Sequence, residues 1–273
     1  MCDDHSPHES FPLRKIMLWV YTKWVNDTLD FYLFLGRMGR LPLIGRAVRF
    51  FAGQYGKYLH GGRAATVEEC YEVIGQARRL TVVDCACRKK YQRCDKPVRT
   101  CIGIDTGADV LGEIKHGEAI SREQAGQIIK DAYKAGLIRS ITHCVTPNLY
   151  VICNCCTCCC VPYRLRSEYG VETAMGNGRQ AAVMDINKCT KCNKCQKICP
   201  GQAVSMDTGI VNQDKCLGCG LCVGVCSRDA LSMTLRDKPK KEAAPGIAGN
   251  ILMYAVFLLV ILPIALGFKL LRR

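Results

Sequence analysis

From Phe11 to about Ala52, apolar and aromatic positions are repeatedly interrupted by charge. At 3.6 residues per turn, Lys15, Thr22, Asn26 and Asp30 share about one quarter of a helical circumference, with Met17, Trp24, Phe31 and Leu35 opposite. The pattern predicts an amphipathic N-terminal region over residues 1–62, either lying on a membrane surface or packed against protein. "GRMGRLPLIGRAVRFFAG", with Arg among apolar residues, favours a membrane or a partner surface. Further on, Thr66 and Glu69 form a capping-box pattern that opens a helix running to about Arg79, and "LTVVD" (80–84) reads as a short strand leading into cysteines. A second capping box, Ser121 with Gln124, opens a helix whose Ala125, Ile128, Ile129 and Ala132 share a face, and Gly136 ends it. "LIRSITHCVTPNLYVIC" then reads as a hairpin around Pro147 and Asn148. Helix followed by hairpin has the outline of a winged helix.

Two later segments change the picture. "VMDINKCTKCNKCQKICPGQAVSM" and "IVNQDKCLGCGLCVGVCSRDALSM" align at an offset of 27 residues, so Cys189 falls on Cys216 and Pro200 on Ser227. After the polar linker 237–246 comes "IAGNILMYAVFLLVILPIALGF" (247–268), 22 residues without charge, which predicts a transmembrane helix. Asn250 and Pro263 are tolerable there. Basic residues flank both ends almost equally: Arg236, Lys238, Lys240 and Lys241 before, Lys269, Arg272 and Arg273 after.

Composition then sets the chemistry. Twenty-one cysteines in 273 residues mean a secreted disulfide framework or intracellular metal chemistry. The N-terminus carries acids and histidines before any apolar run, and Ile16–Tyr21 is too short for a signal core. The expectation is therefore a single-pass membrane protein whose cysteine-rich part faces a reducing cytoplasm. The net charge of +14 is spread along the chain and suits acidic partners or lipid headgroups.

The strongest motif is C-x₂-C-x₂-C-x₃-C-P at Cys189, Cys192, Cys195 and Cys199, repeated without the proline at Cys216, Cys219, Cys222 and Cys226. A loop with cysteines three apart offers three thiolates to one face of a cubane, and the fourth reaches another cluster. These residues resemble the two-[4Fe–4S] bacterial ferredoxins. The resemblance implies one cluster on Cys189, Cys192, Cys195 and Cys226 and another on Cys216, Cys219, Cys222 and Cys199. Ser227 departs from the usual proline without removing a ligand. Paired C-x₂-C zinc sites are the rival.

Upstream, "DCACRKKYQRCDKPVRTC" supplies Cys85, Cys87, Cys94 and Cys101, an array suited to one further cluster or one zinc. "CNCCTCCC" adds Cys153, Cys155, Cys156, Cys158, Cys159 and Cys160. Extended chain throws alternate side chains to opposite faces, so no straight strand presents all six together, whereas a loop folded around a metal could present most. Two cubanes would use eight of these ten thiols, leaving two as a redox pair, as ligands of a larger cluster, or as bystanders. The combination of "C-x-C-R" with "CNCC-x-CCC" ahead of a two-cluster module is similar to a broad group of cysteine-rich ferredoxin-type proteins of anaerobic bacteria and archaea, over roughly residues 80–235. That resemblance implies electron transfer. His143, Trp19 and Trp24 read as packing residues, and Cys2 and Cys70 have no partner spacing. No C-x-x-C-H haem signal or dinucleotide-binding loop is found.

The expected fold class is α+β: a cysteine-rich α/β domain (63–180), a ferredoxin-like two-cluster domain (181–236) and one C-terminal transmembrane helix. The expected function is a membrane-anchored electron carrier with two [4Fe–4S] clusters, one or two further iron–sulfur centres, and redox proteins as donor and acceptor. An oxidoreductase whose upstream centre is catalytic is the alternative. A DNA-binding redox regulator is a third reading, which the predicted anchor disfavours.

Overall fold

The computed structural model describes residues 12–144 and 148–236, together with Gly267. Cys2 and, apart from that glycine, the predicted span 247–268 lie outside the described residues. Among the described residues, no helix is long and apolar enough to cross a membrane.

A six-stranded antiparallel sheet forms the larger part, in the order β1 (His60–Ala65), β5 (Ile138–Cys144), β6 (Leu149–Cys155), β3 (Arg99–Ile104), β2 (Leu80–Asp84), β4 (Glu118–Ala119). Ile141, Ile152 and Ile102 stand side by side across three strands. They pack beneath α4 (Val67–Gln76) and α7 (Arg122–Lys134), with Ile74, Ala125 and Ile129. Both helices start at the expected capping boxes: Thr66 and Ser121 accept from the backbone N–H of Glu69 and Gln124, whose side chains accept in return. Strand alternation sends the next positions, Cys101 and Val151, to the opposite face, under α1 (Pro12–Lys23) and α6 (Thr106–Lys115). The helix–hairpin of residues 121–155 is therefore the middle of a wide sheet rather than a winged helix.

The N-terminal region packs on this sheet. Arg14 donates to the carbonyls of Leu149 and Cys144, and Met17, Leu18 and Thr22 are buried, so the face expected to be polar is partly covered. α2 (Val25–Met38) buries Val25, Leu29 and Leu33 against α8 (Val161–Tyr169), and α3 (Gly45–Tyr58) leads into β1. The exposed apolar residues gather instead at the α2–α3 elbow, where Leu43 is 94% exposed, Phe51 69% and Phe50 59%.

Residues 180–235 form a second, smaller unit. β7 (Gln180–Met184) pairs with β10 (Leu231–Leu235), and β8 (Val204–Ser205) with β9 (Ile210–Val211). Between them lie α9 (Lys194–Ile198) and α10 (Leu221–Gly224), related by the 27-residue repeat.

Candidate metal centres

The repeat is written into the backbone. Positive φ occurs at Lys191, Asn193 and Gln202 in the first copy and at the equivalent Gly218, Gly220 and Asp229 in the second. Each cysteine loop thus curls through two left-handed residues. That conformation is free of strain for glycine and disfavoured for lysine, so the first loop holds its shape against a local preference. The equivalent amides of Ala203 and Ala230 donate to Cys199 Sγ and Cys226 Sγ, both at 3.3 Å, and the amide of Lys191 donates to Cys189 Sγ at 3.4 Å.

Cys189, Cys192, Cys195 and Cys226 line one small cavity; Cys199, Cys216, Cys219 and Cys222 line another. These are the crossed sets that the ferredoxin resemblance implies, with the fourth thiol of each copy turned toward the other copy's loop. Their surroundings differ. The first set lies at the surface, with Cys192 exposed and Lys188, Lys191, Lys194 and Lys197 exposed around it. In the second set Cys216, Cys219 and Cys222 are buried and Cys199 half-buried, and burial pushes the Cys219 thiol up to about 11 and that of Cys222 to about 12. Metal coordination would supply the positive charge that lets such thiols ionise.

The ten upstream thiols divide into four and six, and the division does not follow the two sequence motifs. Cys94, Cys156, Cys158 and Cys159 have sulfurs all within 4.8 Å of one another. The amides of Arg93 and Cys159 donate to Cys159 Sγ at 3.3 Å and Cys156 Sγ at 3.4 Å. The other six line one cavity and neighbour one another in a ring, in the order Cys85, Cys87, Cys160, Cys155, Cys153, Cys101 and back to Cys85. The expectation that Cys85, Cys87, Cys94 and Cys101 form one group is thereby corrected. Cys85 directly follows β2 and Cys101 sits opposite Val83 in β3, so both reach the ring, as does Cys87 from the first turn of α5 (Ala86–Tyr91). Gln92, in a left-handed C-cap, reverses the chain and carries Cys94 away to the other group. "CNCCTCCC" is divided by the same geometry. Cys153 and Cys155 share a face at the end of β6, Cys156 to Cys159 turn away, and Cys160 returns to the ring as N-cap of α8.

In the ring, Cys85, Cys153 and Cys160 have lowered pKa values because neighbouring S–H groups hydrogen-bond to them, Cys160 reaching about 6. Cys87, Cys101 and Cys155 are raised by those same bonds and by burial. Lowered and raised thiols alternate around it. A donor set made only of sulfur suits iron–sulfur clusters or zinc and excludes hard cations. The remaining two described cysteines fit neither group: Cys70 lies in the isoleucine core, and burial pushes both Cys70 and Cys144 up to about 12.

Two buried arginines are tied to these sulfurs. Arg88, 2% exposed, donates to the carbonyl of Asn154 and to Thr100 Oγ1, and its Nε has no hydrogen-bond partner. Burial works against its charge and the sulfurs of Cys85, Cys101 and Cys156 around it offset that, so it sits between the ring and the four-thiol group. A buried guanidinium is tolerated where negative charge compensates it. Arg139, fully buried on β5, donates to the carbonyl of Cys219 and stacks 4.6 Å from the Tyr133 ring. Spacing rules for ligands do not report either residue; the Arg of "C-x-C-R" is the one signal that could have.

The two units meet at the thiols. Cys219, Leu217 and Leu221 pack in one buried cluster with Cys155, Cys160 and Met175. Tyr133 Oη donates to Gly220 O at 3.0 Å, and Tyr163 Oη, from α8, to Pro200 O at 2.7 Å. The buried four-thiol set of the repeat therefore adjoins the six-thiol ring, and the exposed set does not.

Residues 187–235 match the family model described as the LdpA Fe-S cluster-binding domain. The chain has no match among curated proteins or among solved structures. The matched segment holds all eight repeat cysteines and stops short of the upstream thiols. That match, together with the clustered thiols, makes this chain an iron–sulfur protein.

Proposed function

We propose that the chain is an electron-transfer protein that passes single electrons inward through two [4Fe–4S] clusters to an upstream metal centre. The observation that carries this reading is the unequal placement of the two crossed thiol sets, one at the surface and one buried against the upstream sulfurs. Such clusters supply reversible one-electron chemistry when bound, at potentials tuned by charge, burial and hydrogen bonds to sulfur. The chain's own residues do the tuning. Ala203 and Ala230 amides stabilise thiolate charge, Arg139 places a buried cation beside Cys219, and the exposed lysines present a positive rim to a donor protein. Cys94, Cys156, Cys158 and Cys159 fit a further centre. Sulfurs at about 2.3 Å from one tetrahedral metal stand about 3.8 Å apart, so this compact group suits a single ion.

Membrane attachment belongs to the same proposal. The apolar segment 247–268 would hold the protein at the bilayer, with its iron–sulfur part in the cytoplasm. Leu43, Phe50 and Phe51 beside Arg46 would rest on the lipid surface. The experiment that tests the relay replaces Cys192 and Cys219 by Ser in the full chain. The upstream centre should then resist reduction by a ferredoxin-type donor while still accepting electrons from dithionite. Undiminished reduction by the protein donor would refute the relay.

A further inference from the structure

The relay could end at the compact four-thiol group, which leaves the six-thiol ring without a role. Its six thiols neighbour one another in one continuous loop, so nothing separates four ligands from two spare thiols. Its sulfurs are borne by β3 and the end of β6, by the first turn of α5, and by the N-caps of α5 and α8. All six also line a single cavity of about 630 Å³, within the range of small-molecule sites. The other walls, from α2, α3 and β1, are chiefly apolar, as at Val25, Leu29 and Ala52. Two polar pairs interrupt them: Tyr32 and Tyr55 hydroxyls 2.6 Å apart, and Tyr150 Oη 2.8 Å from His60 Nε2. Arg88, buried with an unpartnered Nε, supplies cationic compensation on the protein side of the ring.

We infer that the six-thiol ring holds one iron–sulfur cluster larger than a cubane, and that the cavity over it admits a small uncharged molecule with a reducible multiple bond. The inference rests on the relay, which supplies the electrons. Two electrons, arriving singly from an external low-potential one-electron donor, and two protons from water open one π bond and form two new bonds to hydrogen. The donor is oxidised twice, and the protein is returned unchanged. The phenols and the neutral imidazole pass the protons inward.

Full-length protein loaded anaerobically with iron and sulfide is compared with its Cys85→Ser/Cys160→Ser variant. The variant should lose more than about four irons per chain, the content of one cubane, while retaining the EPR signals of the ferredoxin-type clusters. Those signals also report that the fold survives, and Cys101→Ser gives the same comparison should the double variant be insoluble. Loss of four irons or fewer overturns the inference: four would mean a cubane with two spare thiols, and none a thiol redox pair. Carbon monoxide, added after reduction by titanium(III) citrate, is the probe of access. An iron-bound C–O stretch is expected in the wild type and should vanish in Ala174→Trp, which fills the cavity with iron content unchanged. A missing band in iron-replete wild type, or one that survives in Ala174→Trp, equally overturns it. If the ferredoxin-type EPR signals were missing from the wild type, the relay would fail instead, while iron loss and carbon monoxide binding would still be read directly.

Discussion

Arg139 lies where charge matters most, fully buried and donating to the carbonyl of Cys219, a ligand candidate of the inner repeat site. Arg139→Met should lower the potential of the inner cluster and leave the outer one unmoved. A lost unit charge within about 10 Å, at an effective dielectric of about 20, corresponds to a shift on the order of 50–100 mV. Redox titration followed by EPR reads both clusters; equal shifts in both would contradict the placement of this cation. His60 makes a second residue-scale prediction. Burial holds its imidazole near 3, far below the ordinary 6.5, so the folded protein keeps it neutral. Between those values the unfolded chain binds the extra proton, so this contribution to stability is complete above about pH 6.5 and fades as the pH falls. In chemical denaturation, His60→Phe should flatten the acid limb of the stability curve relative to wild type. An unchanged acid limb would show that His60 does not contribute to it.

At the scale of elements, the local signals were legible and the long-range ones were not. "LTVVD" forms β2 with the expected bounds, and both capping boxes close, because these depend on residues a few positions apart. Thr66→Ala should cost about 1–2 kcal/mol, and Ile129→Ala, in the fully buried isoleucine layer, about 2–5 kcal/mol, measured by denaturant unfolding. A cost below about 0.5 kcal/mol at Ile129 would be at odds with this core. The crossed thiol sets were legible through a resemblance, and the 27-residue repeat appears again in the φ pattern of the two loops. The division of the upstream cysteines was hidden, because it depends on the β2–β3 register and on the reversal at Gln92. So was the cavity: Tyr21, Tyr32 and Tyr55 lie in segments whose periodicity reads equally as a membrane surface, and only the packing of α1 to α3 on the sheet turns them inward.

Across the whole molecule, the two copies of one repeat have different surroundings. The first carries lysines between its cysteines and faces solvent; the second carries glycine and leucine there and is buried against the α/β sheet. Reduction by an acidic ferredoxin-type donor should therefore slow as salt rises, and Lys191→Glu/Lys194→Glu should slow it about tenfold or more at low salt while converging with wild type at high salt. A rate indifferent to salt would place the entry point elsewhere. The central claim is that iron is bound by the eight repeat sulfurs in two crossed sets. It is tested most directly by metal analysis and low-temperature EPR of dithionite-reduced protein prepared without oxygen. The account predicts at least about eight irons per chain and two [4Fe–4S] signals, one abolished by Cys192→Ser and the other by Cys219→Ser. Colourless protein containing zinc alone, or disulfides among those cysteines, would contradict it.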